Sequence, residues 1–130
     1  MSKTDPPNIK PNESDDSAGL FDALIEINRK AFDLGRYNTA YHALCAALHW
    51  AQDERNARQA RTILALAREQ LKWIDRYAPD YKHSSKSAAV RGHASIFSNL
   101  QHTALAAIQM VEHGVRFEDR GRTQPKSQGP

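Results

Sequence analysis

Ala31-Phe32-Asp33-Leu34-Gly35-Arg36-Tyr37-Asn38-Thr39-Ala40-Tyr41-His42-Ala43-Leu44 is the stretch on which the reading of the whole chain depends. Apolar residues recur at helical spacing on both sides of Gly35, so the stretch reads as helix, tight turn, helix. A glycine just past the last periodic residue can adopt the left-handed conformation that closes a helix, and Asn38 is available to cap the next one. So short a connection forces the second helix to run back antiparallel to the first.

Upstream of the turn, Leu20, Leu24, Ile27, Ala31 and Leu34 step by four and three residues, with Phe21, Ile25, Asn28 and Phe32 in a second row beside them. That pattern predicts a helix over about 18–35, started by Asp15, Asp16 and Ser17, whose broad apolar face meets more than one neighbour. Downstream, Tyr37, Ala40, Tyr41, Leu44, Ala47, Leu48 and Ala51 predict a second helix over 38–51. Ala40 and Ala47 are small where two helix backbones must approach closely.

The run Gly35-x-Tyr37-x-x-Ala40-x-x-x-Leu44-x-x-Ala47-Leu48 resembles the turn and second helix of a tetratricopeptide repeat, with Leu24 and Ile27 at the large packing positions of the first helix. The resemblance covers 21–54 and implies a helical hairpin in a protein-binding scaffold. Gly35, Tyr37, Ala40, Leu44 and Ala47 are its structural positions. The chain departs from the family at Leu24, Asn28, Ala31 and Gln52, and no second copy follows Glu54. The rest of the chain, or another subunit, must then cover the hairpin.

No Gly or Pro marks the boundary between the second helix and the third, predicted over 54–77. Its apolar face is Ala60, Ile63, Leu64, Ala67, Leu71, Ile74 and Ala78. Opposite lie Arg58, Arg61, Arg68, Lys72 and Arg76, within about 80° of arc. Pro79 stops the helix, and the Ser-, Lys- and His-rich run that follows is a loop. A fourth helix is predicted over 87–112. Nothing from Gly92 to Val111 is charged, so this helix is expected to be central in the bundle or covered by a second molecule.

These elements define an all-α fold: an antiparallel bundle of about four helices in one domain over 18–113, with polar tails at 1–17 and 114–130 expected to be disordered. At 130 residues, 40% hydrophobic and 25% charged, the chain is long enough for one self-sufficient core. The formal charge of +3 divides into −2 over 1–17, +2 over 113–130 and +3 between them. Such an excess permits a polyanionic partner without demanding one. A single cysteine, with no secretory signal, points to a reducing, cytoplasmic setting. The uncharged 92–111 run holds too many Ser, Asn, Gln, Thr and His residues for lipid, so no membrane span is expected.

Four groups of residues could carry function. His42, Cys45 and His49 fall within about 60° around the second helix and could begin a zinc or copper site. A small buried thiol between two half-exposed histidines is the reading preferred for them. Arg36 and His42 fit the Arg-x(4-6)-His pattern of HEPN-type helical ribonucleases, as do Arg76 and His83, although Arg36 lies at the turn and the family's motif lies within one helix. The basic row Arg58, Arg61, Arg68, Lys72 and Arg76 could contact nucleic-acid phosphates or be a solvated face. Trp50, Trp73, Tyr77 and Tyr81 could form an aromatic patch for a peptide or pack between helices.

No phosphate-binding glycine loop, paired metal-binding carboxylates, nucleophile with a nearby base, or cofactor motif occurs. The expectation is therefore a small intracellular protein interaction or adaptor module without catalytic activity. A protein partner or self-association would occupy a helix-lined groove or the fourth helix. Nucleic-acid binding through the basic row is the alternative, and a HEPN-type ribonuclease stands third.

Overall fold

The computed structural model describes residues 13–114, and the predicted tails fall largely outside that range. Five helices follow one another: α1 (Glu13–Asp33), α2 (Tyr37–Asp53), α3 (Ala57–Tyr77), α4 (Ser85–Val90) and α5 (Ile96–Glu112). No strand occurs among the described residues. Helix α1 pairs with α2 and α3 pairs with α5, while α2 packs on α3 and joins the two hairpins into one core.

Three helices end in the same way, and the local sequence differs each time. At the first turn the Gly35 N–H donates to the Phe32 carbonyl and the Arg36 N–H to the Ala31 carbonyl, with Gly35 at φ +76°. This paired closure satisfies carbonyls that the helix end would otherwise leave open. The same two bonds recur at Arg55 and Asn56, donating to Gln52 and Ala51, and at Gly92 and His93, donating to Ala89 and Ala88. Arg55 holds φ +53° without being a glycine. A side chain there costs on the order of 1 kcal/mol, which the surrounding packing offsets.

Several expected boundaries change. Helix α1 starts at Glu13, so Asp15, Asp16 and Ser17 fall inside it rather than in front of it. A first helical turn accepts acidic residues readily, because its exposed N–H groups carry partial positive charge. Asn38 does not cap α2; the cap residue is Arg36, which makes no side-chain bond, and Asn38 instead accepts a hydrogen bond from the Tyr81 hydroxyl. The predicted fourth helix is two helices, because Gly92 at φ +79° closes α4 and Ser95 opens α5.

The α3–α5 connection is built by serines. Ser84 donates to the Pro79 carbonyl (2.6 Å) and accepts from the Ser87 N–H (3.0 Å), capping α4. Ser95 donates to the His83 carbonyl (2.6 Å) and accepts from the Phe97 N–H (3.1 Å). Asp75 accepts from both the backbone and the hydroxyl of Ser85. Each cap is worth about 1 kcal/mol, and together they make the return path to α5 well defined.

The core is small-residue rich. Ala40 and Ala47 are fully buried, and Leu44, Leu48, Ile63, Ile74 and Phe97 fill the centre. Each of these larger side chains contributes about 1.5–3 kcal/mol by burial. In α1 the interior draws on both apolar rows: Phe21 and Asn28 from one and Ala31 from the other are buried, whereas Leu20, Ile27 and Leu34 face solvent. Helix α5, uncharged up to Val111, is not central: it buries Phe97, Leu100, Ala104, Ala107 and Ile108 and leaves its opposite side open.

One polar network lies inside the core. Asn28 donates to the Ala40 carbonyl (2.8 Å) and to Gln70 Oε1 (3.1 Å), and Gln70 Nε2 donates back to Asn28 Oδ1 (2.7 Å). Both side chains are buried, so these bonds replace water that the amides have lost. They tie α1, α2 and α3 at one point and fix their relative register.

Candidate interaction groove

The C-terminal turn of α1, the first turn of α2 and the second half of α3 meet in an aromatic ladder. Phe32 lies 5.1 Å from Tyr37 and 5.4 Å from Trp73, ring centre to ring centre. Tyr37 lies 5.2 Å from Tyr81, and Trp73 lies 5.1 Å from Tyr77. These separations and the tilted ring planes are the favourable arrangement for ring quadrupoles. The Schellman-type closure at Gly35 sets the ladder, since it brings Phe32 and Tyr37 to the same end of the hairpin.

Two shallow depressions flank the ladder. One, of about 360 Å³, lies between α1 and α3 and is lined by Arg29, Phe32, Asp33, Glu69, Gln70 and Trp73, among others. The other, of about 380 Å³, runs over the turn past Leu34, Gly35 and Tyr37. Trp73 remains 42% and Tyr77 61% exposed, and Leu34 75% exposed, although each is large and apolar or aromatic. Charges rim the rings: Arg29, Asp33 and Glu69 in the wall, and the Arg76 guanidinium 5.4 Å from the centre of Tyr77.

Of the aromatic set singled out in the sequence, Trp73, Tyr77 and Tyr81 come together. Trp50 does not join them: it is half-buried against the core, with its indole N–H buried and without a hydrogen-bond partner among the described residues. Phe32 and Tyr37 belong to the cluster, although the sequence presents them only as helix-packing and turn residues. The signal that could have found them is their placement on either side of the Gly35 turn, but their partner Trp73 lies too far along the chain for spacing to reveal it.

Among the described residues no group of three or more His, Cys, Asp or Glu side chains is placed to hold an ion. His42 and His49 are exposed and Cys45 is half-buried. The Tyr41 hydroxyl, hydrogen-bonded to the Cys45 thiol and partly desolvated, is pushed up to about 12. Burial also pushes the Cys45 thiol up, more than the bond from Tyr41 lowers it. The cysteine therefore stays protonated near neutrality, which makes it a poor nucleophile.

Arg36, at the non-helical position just before α2, and His42, within the helix, are both exposed. Arg58, Arg61, Arg68, Lys72 and Arg76 all reach solvent, as expected of a basic row on the outer face of α3. Arg61 is paired with Glu112 of α5, which partly neutralises one end of the row. His83 packs on Tyr81 at 5.5 Å, and burial, then Lys82 and Arg91, push its imidazole below the usual range.

No protein-family model, no curated protein and no solved structure matches this chain. Among the described residues no helix is long and apolar enough to cross a membrane.

Proposed function

We propose that this chain is a small intracellular protein interaction module, without catalytic activity, that seats a peptide segment of a partner across the α1–α3 groove. The observation that carries the reading is the exposure of Trp73 and Tyr77 on a ladder of rings already held in place by Phe32, Tyr37 and Tyr81. Rigid, half-open aromatic side chains beside a groove are the kind of surface in which a few residues supply most of the binding energy. The tetratricopeptide-like hairpin around Gly35 supports the same reading, because it places these rings at one end of a helical scaffold.

The rim chemistry points to the partner. Arg29 and Arg76 lie at the groove against Asp33 and Glu69, so the rim carries both signs. A segment with one aliphatic or aromatic anchor flanked by residues of both charges fits that rim. The test is a benzophenone side chain introduced at Tyr77 and activated in extract of the host cell. The expected result is one cross-linked polypeptide, displaced by excess unlabelled wild-type protein but not by Trp73→Ala protein. Cross-links spread over many proteins, or displacement by both competitors alike, would refute the assignment.

A second reading is nucleic-acid binding, favoured by the exposed row Arg58, Arg68, Lys72 and Arg76 beside Trp73 and Tyr77. It predicts a gel shift with single-stranded RNA or DNA at low salt that Arg68→Glu with Lys72→Glu abolishes. No shift at low salt removes it.

A further inference from the structure

Leu20 and Ile27 on α1, and Leu34 just past its end with its N–H still donating to the Lys30 carbonyl, stand seven residues apart, and they are 48%, 49% and 75% exposed. A large aliphatic side chain in the open is ordinary when single; three in register along one helix are not. At 1.5 Å per residue the row is about 21 Å long, and a seven-residue repeat keeps it on one narrow stripe of the helix. Asn28 and Phe32, farther round α1, reach α3, and the α2 side of α1 is closed by packing. The row occupies the remaining apolar flank, against which no described element packs.

We infer that this row is the contact surface for a second copy of the chain, with α1 pairing antiparallel to α1 of that copy and Ile27 at the two-fold axis. Two features select this occupant. The row reads the same from both ends, Leu-Ile-Leu, so a two-fold rotation about Ile27 sets Leu20 against the other copy's Leu34 and Ile27 against its own equivalent. A self-complementary patch of this kind is what a closed dimer requires. The charges agree as well. Glu26 and Lys30 form an exposed pair on one side of the row, 3.5 Å apart within the helix. The same rotation brings Lys30 of each copy within about 3 Å, measured along the helix axis, of Glu26 in the other.

The exposed faces of α5 do not compete. Leu105 and Met110 are open, but five residues apart they project about 140° from each other and form no seam. The α1 row covers only a few hundred Å², less than the roughly 800 Å² per partner of a standard stable interface. The dimer is therefore weak and concentration dependent. It is independent of the groove reading except at Leu34, which borders both surfaces.

The test is the mass of the full chain by light scattering or sedimentation from low micromolar to about 0.5 mM, with Ile27→Glu beside the wild type. Dimerisation is expected within this range, and Ile27→Glu is expected to weaken it at least about tenfold with the helical content unchanged. In a Cys45→Ser background, Ile27→Cys should cross-link to itself on mild oxidation. Leu20→Cys should cross-link to Leu34→Cys in a mixture but not to itself. A monomer at all concentrations, a dimer indifferent to Ile27→Glu, or self-cross-linking of Leu20→Cys each overturns the inference. Because none of these variants alters Trp73 or Tyr77, failure here leaves the groove reading to its own cross-linking test.

Discussion

Replacing Asn28 with alanine removes three hydrogen bonds at once and leaves the Gln70 amide, 5% exposed, without its partner. The Ala40 carbonyl loses its side-chain donor in the same step. An orphaned buried polar group costs about 1–3 kcal/mol, and Gln70 is left with both a donor and an acceptor unmet. Against this, alanine is the better helix former by about 0.5 kcal/mol. The net destabilisation is then about 2–4 kcal/mol, a large part of the roughly 5–10 kcal/mol expected for a domain of this size. At about 4–8 °C per kcal/mol the melting temperature should fall by on the order of 10–25 °C. Urea unfolding followed by circular dichroism measures the loss directly. The companion variant decides the cause: Asn28→Leu with Gln70→Leu removes both amides together and should recover at least half of what Asn28→Leu alone loses, because no polar group is stranded. A cost for Asn28→Ala below about 1 kcal/mol, or strict additivity of the two leucine substitutions, would refute the view that the pair is a closed network inside the core.

Three other outcomes follow from the geometry. Gly35→Ala should destabilise by about 1 kcal/mol in the same urea assay, since φ is +76° while the space a Cβ would enter is open, so that strain in the backbone is the only cost. In a spectrophotometric titration, one of the four tyrosines should ionise near 12, and Cys45→Ala should bring it down. Because the folded state holds that proton more tightly than the unfolded chain, whose tyrosine value is 10.0, stability should fall as pH rises from about 10 towards 12, and Tyr41→Phe should flatten this fall. His83 behaves in the opposite sense. Its imidazole is depressed below 6.5 in the fold, so the unfolded chain binds the proton first on acidification. Stability should decline as pH drops below about 6.5, and His83→Gln should remove that part of the decline in pH-dependent thermal melts.

The helical class, the hairpin and its turn were legible in the sequence because each rests on local physics. Apolar residues at helical spacing and a glycine past the last of them are sufficient to predict α1, the Gly35 closure and α2. Where the same closure uses another residue, the signal disappears: Arg55 takes the left-handed conformation at the α2–α3 break, and nothing in its chemistry announces it. Gly92 carried the right chemistry, but the apolar periodicity on either side of it suggested one continuous helix. There the sequence held the mark of the break, and Ser95, capping α5, completes it.

Which side of a broad apolar helix becomes interior is a different question, and the sequence by itself does not answer it. Leu20, Ile27 and Leu34 have the spacing of a core row, as do Phe21, Asn28 and Phe32, and hydrophobicity favours the first set. The tertiary structure buries Phe21 and Asn28 of the second set, and Asn28, once buried, is satisfied by Gln70 and the Ala40 carbonyl, partners 42 and 12 residues away. The aromatic groove has the same origin: Phe32, Tyr37 and Trp73 meet only after α3 docks on the hairpin. The sequence alone therefore determined the helices, the turn at Gly35 and the small residues that let α2 pack closely, all of them consequences of neighbours within a few positions. The surfaces open to a partner were decided by long-range packing, since exposure is what remains once the helices have closed on one another.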